Sequence, residues 1–428
     1  MRVVTYKNSG ITYWSLANEQ YIPVHPLVSH YLQVKNGGRS VNTKQRKAYE
    51  LSFVFKYFQS RGIDLIADIE AFKLLSEKEI SLFARACKFK VNVMEQNIGT
   101  TITKTAISNL LARNQPTANI VEEGTAKGRL DTFIGFYKYV YERRHGRAVI
   151  ALQRQADYEQ CLIDLDTARA SMGSWKKQVI DPFCSRFSDE KYFELLEVIR
   201  PISEKNPFKN SRLRNELIIK VLIETGFRRG AVAKLKISDV FNDRVPRVRV
   251  TRTPDDMSDP RRDRASQKTK SHVSPISSEL AKKLEYYIKG VRNVLPNTDN
   301  HEFVFVTEKN SRGTLGKPLT LRSYNHIFNV LSATLEAEVT PHTLRYKWNE
   351  LFDDDMNSVA RELGFDSKTI EDIRKYAMGW SAKSEMAEVY NNFKLASKAR
   401  EFHLARQREA IKSRKNLRDS EYEELCKR

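Results

Sequence analysis

The sequence predicts a mainly α-helical protein with a small antiparallel sheet: an all-helical N-terminal domain followed by an α+β C-terminal domain. Three observations carry this. Apolar residues recur at i, i+3, i+4 and i+7 in both halves, the period of one helix face. The period shortens to two around Val245, Val248 and Val250, with a partner strand at His272 to Ile276. At 428 residues the chain exceeds one ordinary core, so two or three domains are expected.

Residues 1–39 are mixed in character and read as an N-terminal extension ending at the turn-rich Lys35-Asn36-Gly37-Gly38. Residues 40–150 read as the helical domain. Thr43 is the expected N-cap of a helix whose Leu51, Val54, Phe55 and Phe58 share a face, with Gly62 as its stop. Stretches 72–87 and 103–113 look helical. A further helix carries Leu130, Phe133, Ile134, Tyr137 and Tyr141 on one face and closes at Arg143-Arg144-His145-Gly146. Residues 151–186 read as a helix plus connector, a linker punctuated by Gly173, Pro182 and Ser185.

The C-terminal domain is expected over 187–428. One helix starts near Ser188-Asp189 and ends at Pro201, and a strongly apolar one (Leu213, Leu217, Ile218, Val221, Leu222) leads into Thr225-Gly226. Thr253 to Ala265 reads as a charged hairpin excursion between the two strands. Helices are expected at 277–294 and 321–336, around a short strand Phe303–Val306, and the last 35 or so residues look helical and basic.

Composition narrows the partners. The net charge is +20, and hydrophobic residues make up 40%, so the basic excess sits on a folded surface. Such a surface attracts polyanions, because each neutralised phosphate releases condensed counterions. The four cysteines (Cys87, Cys161, Cys184, Cys426) are scattered without a CxxC pair, which argues against zinc and a disulfide framework and fits a reducing cytoplasm. No apolar run approaches the roughly 18 residues that span a bilayer, and Met1 to Gly10 has no signal-peptide core. A cytoplasmic protein with no membrane partner is expected.

Chemistry concentrates in a few motifs. Thr225-Gly226-Phe227-Arg228 puts an arginine just past a helix junction, with Arg229 its rival by adjacency. Pro341-His342-Thr343-Leu344-Arg345 puts a histidine and an arginine on one helix face. Near the end come Met378-Gly379-Trp380 and then Tyr390. Arginine suits a phosphodiester, because its planar fork donates two hydrogen bonds and never deprotonates. Tyrosine can attack phosphorus and store the bond energy as a phosphotyrosine. Asp353-Asp354-Asp355 has no complementary carboxylates, so an acidic helix or loop start is the commoner reading than a metal site.

These motifs, in this order, resemble the tyrosine recombinase (phage integrase) family over roughly residues 40–415. The resemblance implies a helical DNA-binding domain at 40–150 and a catalytic domain at 187–428. By the same resemblance Arg228 and Arg345 hold the phosphate, and His342 bonds it or assists the tyrosine proton. Lys268 on the hairpin is the general acid, with Lys270 its competitor, and Trp380 donates its indole N–H. Tyr390 is the nucleophile. Ala231 stands where the family usually has an acidic residue, and Tyr390 follows the Gly-Trp step by one residue more than is common. No cofactor or metal is implied.

The implied function is site-specific recombination through a 3′-phosphotyrosine, integrating, excising or transposing a mobile element. The implied partners are double-stranded DNA, further copies of the chain in a tetramer, and accessory DNA-bending or directionality proteins, with a bacterial, nucleoid-associated location. A type IB topoisomerase-like enzyme and a catalytically decayed DNA-binding protein are the alternatives.

Overall fold

A computed structural model describes residues 1–8, 11–91, 120–173, 187–253, 256–261, 264–267, 269–382, 384, 399 and 402–407, with backbone alone for 7–8 and 357–361. The chain divides into two compact units, Met1–Val179 and Ile180–Arg428. Among the described residues no helix is long and apolar enough to cross a membrane.

In the first unit, β1 (Arg2–Asn8) and β2 (Ile11–Ala17) form an antiparallel hairpin, which the structure adds to the expected helices. Helices follow at α1 (Pro26–His30), α2 (Val41–Gln59), α3 (Leu65–Glu70), α4 (Glu77–Ala86), α5 (Glu123–His145) and α6 (Leu152–Ser171). The cap of α2 is Ser40, whose hydroxyl accepts from the Thr43 amide, rather than Thr43 itself. An N-cap acceptor must lie outside the helix while reaching its third residue, and only Ser40 does so here.

One core binds all of these elements. Trp14 and Leu16 of the hairpin, Phe58 of α2, Phe83 of α4, Phe133 of α5 and Leu165 of α6 are buried together. Phe58, Phe83 and Phe133 pack with ring centroids 4.6–5.3 Å apart, a geometry that adds to plain area burial. Residues expected as an extension and the first part of the expected linker are therefore layers of this unit. The stretch 103–113 lies outside the described residues.

The second unit contains α7 (Asp189–Val198), α8 (Arg212–Thr225), α9 (Arg229–Lys234), α10 (Ser278–Tyr286), α11 (Leu321–Leu335), α12 (Pro341–Leu363) and α13 (Ser367–Ala377). Its sheet is β3 (Val240–Phe241), β4 (Arg247–Val250) and β5 (His272–Pro275), antiparallel in the order β3-β4-β5. Helix α8 is central: Leu217, Ile218, Ile219, Val221 and Leu222 are all 0–1% exposed. A helix buried all round must satisfy its charges internally. Glu216 does so by accepting from Lys283 at 2.9 Å, and Arg214 by donating to the Val306 carbonyl at 2.9 Å.

Two local expectations change. Phe303–Val306 is buried at all four positions but joins no ladder, making only isolated bridges through Phe303 and Val306. The described part of the excursion after Thr253 folds inward. Arg261 grips Asp259 through two 2.8 Å bonds and donates to the Leu319 carbonyl at 3.0 Å. With both partners buried, this ion pair ties the excursion to the core rather than to solvent.

Candidate active site

The first arginine motif is built by a left-handed turn. Helix α8 ends at Thr225, whose hydroxyl donates to the Val221 carbonyl and accepts from the Phe227 amide. Gly226 follows at φ +61, where a Cβ would lie 2.6 Å from Met378 Cε and 3.0 Å from the Trp348 ring. Glycine is thus required both for conformation and for space. Phe227 is buried, and Arg228 is extended as the N-cap of α9. The adjacent arginines part ways: Arg229 donates to Asn325 of α11, whereas the charge of Arg228 acts on His342.

The second motif opens α12. Thr340 and Thr343 cap the start reciprocally, amide to hydroxyl in both directions at 2.7 and 3.1 Å. His342 is exposed, its ring 4.6 Å from that of Tyr346. Partial desolvation by the atoms around the ring holds the His342 pKa below its ordinary value, and the charges of Arg345 and Arg228 push it the same way. At neutral pH it is therefore a neutral imidazole.

Arg345 is 3% exposed and links three stretches of chain. Its Nη1 donates to the Gly226 carbonyl at 2.5 Å and its Nη2 to the Met378 carbonyl at 3.4 Å. Its guanidinium carbon lies 5.7 Å from the centroid of the Trp380 ring, within the range of a cation–π contact. Trp380 is buried beside Met378, Tyr346 and Trp348.

The hairpin docks on the same place through a second left-handed glycine. Gly379 has φ +62, and a Cβ there would lie 2.6 Å from His272 Nδ1. Its carbonyl accepts from the Lys270 amide at 2.9 Å. The Lys270 side chain is exposed. Gly230 of α9 sits against the same segment, since a Cβ there would meet the Ser266 carbonyl. Lys268, the expected acid, and Tyr390, the expected nucleophile, lie outside the described residues.

The structure thus brings Arg228, His342, Arg345 and Trp380 to one place. It adds His272, which sequence reading noted only as a strand end. Its ring stands edge-on to Phe227 at 5.3 Å and feels the Arg345 charge. Asp353 forms an ion pair with Arg374 of α13. Among the described residues no group of three or more His, Cys, Asp or Glu could hold a metal. Ala231 is buried and borders a cavity of about 240 Å³ lined also by Lys234, Asp239, Arg249 and Asp256.

Comparison with known proteins yields a family and several relatives. Residues 189–392 match the phage integrase family. Transposase A from transposon Tn554 of Staphylococcus aureus is 23% identical over 352 residues, covering 80% of this chain and 83% of the transposase. Among solved structures, XerH site-specific recombinase bound to palindromic difH substrate aligns with TM-score 0.43 at 13% identity, covering 91% of this chain and 94% of that one. The Tn1549 transposon integrase in complex with circular intermediate DNA aligns with TM-score 0.39 at 14% identity, covering 73% and 91%.

Proposed function

We propose that this chain, whose residues 189–392 match the phage integrase family, is a site-specific recombinase that cleaves and rejoins DNA through a 3′-phosphotyrosine. The observation that carries the reading is the junction at Arg345. One buried guanidinium is tied to Gly226 beside the first arginine motif and to Met378 beside Trp380, with His342 on the same helix. A cation cluster held by backbone carbonyls is preorganised, so it need not reorganise as charge develops on phosphorus.

In the proposed reaction Arg228 and Arg345 bind the nonbridging oxygens of the scissile phosphate, and His342 and the Trp380 indole supply further contacts. Tyr390 attacks phosphorus, and a hairpin lysine, Lys268 or Lys270, protonates the departing 5′ oxygen. The 5′ hydroxyl of a partner strand then displaces the tyrosine and reseals the backbone. Each preorganised donor is worth about 2.7–4 kcal/mol of barrier in measured cases, so several converging donors suffice without a metal.

The similarity to a transposase supports a mobile-element role, integrating, excising or transposing DNA. Residues 40–150 are assigned to DNA binding and 187–428 to catalysis. Assembly as a tetramer on two duplexes follows from the need for a partner strand, and accessory bending or directionality proteins would select the direction. A duplex nicked just downstream of the cleavage position tests the reading. Loss of the short 5′-hydroxyl strand should trap a covalent protein–DNA adduct, in chelator as well as without it. A wild-type chain that binds the duplex but forms no adduct refutes it.

A further inference from the structure

His272 is an imidazole at the catalytic cluster to which the family resemblance gives no role. It is the first residue of β5, paired in register with Val250. Its Nδ1 lies 3.0 Å from the Lys270 carbonyl, which can only accept, so Nδ1 carries the hydrogen and Nε2 keeps a lone pair. That Nε2 is buried and makes no hydrogen bond among the described residues. The ring is wedged between Phe227 at 5.3 Å and Gly379, whose lack of a Cβ makes room for it. Arg345, from α12, is the charged group that faces it among the described residues.

An imidazole with one nitrogen fixed by a third group and the other presented to a reaction site is the arrangement of an oriented general base. His342 has no such anchor among the described residues; its ring rests on Tyr346. We propose that His272 Nε2 accepts the phenolic proton of the nucleophile during strand cleavage, an inference that rests on the recombinase reading. The phenol O–H bond breaks toward Nε2 as the O–P bond forms. The P–O5′ bond breaks as the hairpin lysine protonates the leaving oxygen. Religation reverses each transfer, so His272 ends neutral. Burial and the Arg345 charge keep the ring unprotonated in the free enzyme, the state a base requires.

The test compares single-turnover adduct formation on the nicked duplex by the full chain and two variants, from about pH 5.5 to 9.5. His272→Asn keeps an amide N–H where Nδ1 donates to Lys270 but has nothing at Nε2. Wild type should reach its plateau below the ordinary histidine range. His272→Asn should be about 10²-fold slower at neutral pH, the usual size of a lost base. Its rate should climb tenfold per pH unit toward the phenol's own ionisation near 10. His342→Asn should instead be slowed by a similar factor at every pH. DNA binding and melting midpoint, measured in parallel at neutral pH, should match wild type for His272→Asn. The proposal is overturned if His272→Asn cleaves at the wild-type rate, or if its deficit is the same at all pH values. Absence of adduct from wild type itself would instead remove the recombinase reading on which it stands.

Discussion

Arg345→Lys isolates geometry from charge. The side chain is 3% exposed and its two terminal nitrogens reach the carbonyls of Gly226 and Met378. A lysine keeps the positive charge but offers one nitrogen, so one of these carbonyls is left without its charged donor. Hydrogen bonds to charged groups contribute about 1.5–3 kcal/mol, so the melting midpoint should fall by roughly 3–12 °C for a unit of this size. The catalytic cost is separate. Losing the fork that clamps a nonbridging oxygen removes one preorganised donor, or about 10²–10³ in rate. DNA affinity and its salt dependence should change little, because the number of neutralised phosphates is preserved. The assay is adduct formation on the nicked duplex below the variant's melting midpoint, beside a gel-shift titration. A variant that binds and folds like wild type and cleaves within a factor of about three would refute the claim that the Arg345 fork contributes a catalytic donor.

Gly379→Ala forces a left-handed residue and a Cβ onto His272 Nδ1; the conformation alone costs about 1–2 kcal/mol, and adduct formation should fall well beyond what that loss of folded protein explains. Unchanged activity would detach the Gly-Trp motif from the site. Asp353→Ala leaves the buried Arg374 with Glu371 as its remaining ion-pair partner and should destabilise the second unit by about 1–3 kcal/mol, in thermal or denaturant melts, without any response to added magnesium. A magnesium-dependent loss of function with normal stability would reopen the metal reading. Burial, with Arg345 behind it, holds His272 below its ordinary pKa, and His342 is lowered as well. Folding therefore disfavours their protonation, and the stability they contribute is present above the unfolded value near 6.5 and lost as pH falls through their folded values. Melting midpoints of His272→Asn and His342→Asn should accordingly drop less than that of wild type between about pH 7 and 5. A wild-type midpoint that falls no faster than the variants' would contradict the depressed values.

Much of the fold could be read in the chain because its signals are local. The faces of α2 and α5 follow from 3.6-residue spacing, and Ser188 caps α7 where its sequence position implies. The β1–β2 hairpin escaped notice because β2 is buried at five of its seven positions, Thr12 and Trp14 through Ala17, which erases the alternation that marks a half-buried strand. Phe303–Val306 misled in the opposite sense, since a buried apolar run reads the same whether or not it joins a ladder.

The site divides along the same line. His342 and Arg345 announce themselves by a three-residue spacing, and Gly226 by its place after an apolar helix. What Arg345 does with Gly226 cannot be seen locally, because the two lie 119 residues apart. Nor can the depth of His272, which depends on a glycine supplied from beyond α13. The Asp259–Arg261 pair shows the converse, a run of charges that looks solvated until the core closes over it.

The central claim is that these cations surround a scissile phosphate attacked by Tyr390. It is tested most directly by digesting the trapped adduct and sequencing the nucleotide-bearing peptide by mass spectrometry. The account predicts a 3′-phosphonucleotide on Tyr390 and no adduct from Tyr390→Phe. Attachment at another residue, or an adduct that survives Tyr390→Phe, would contradict it.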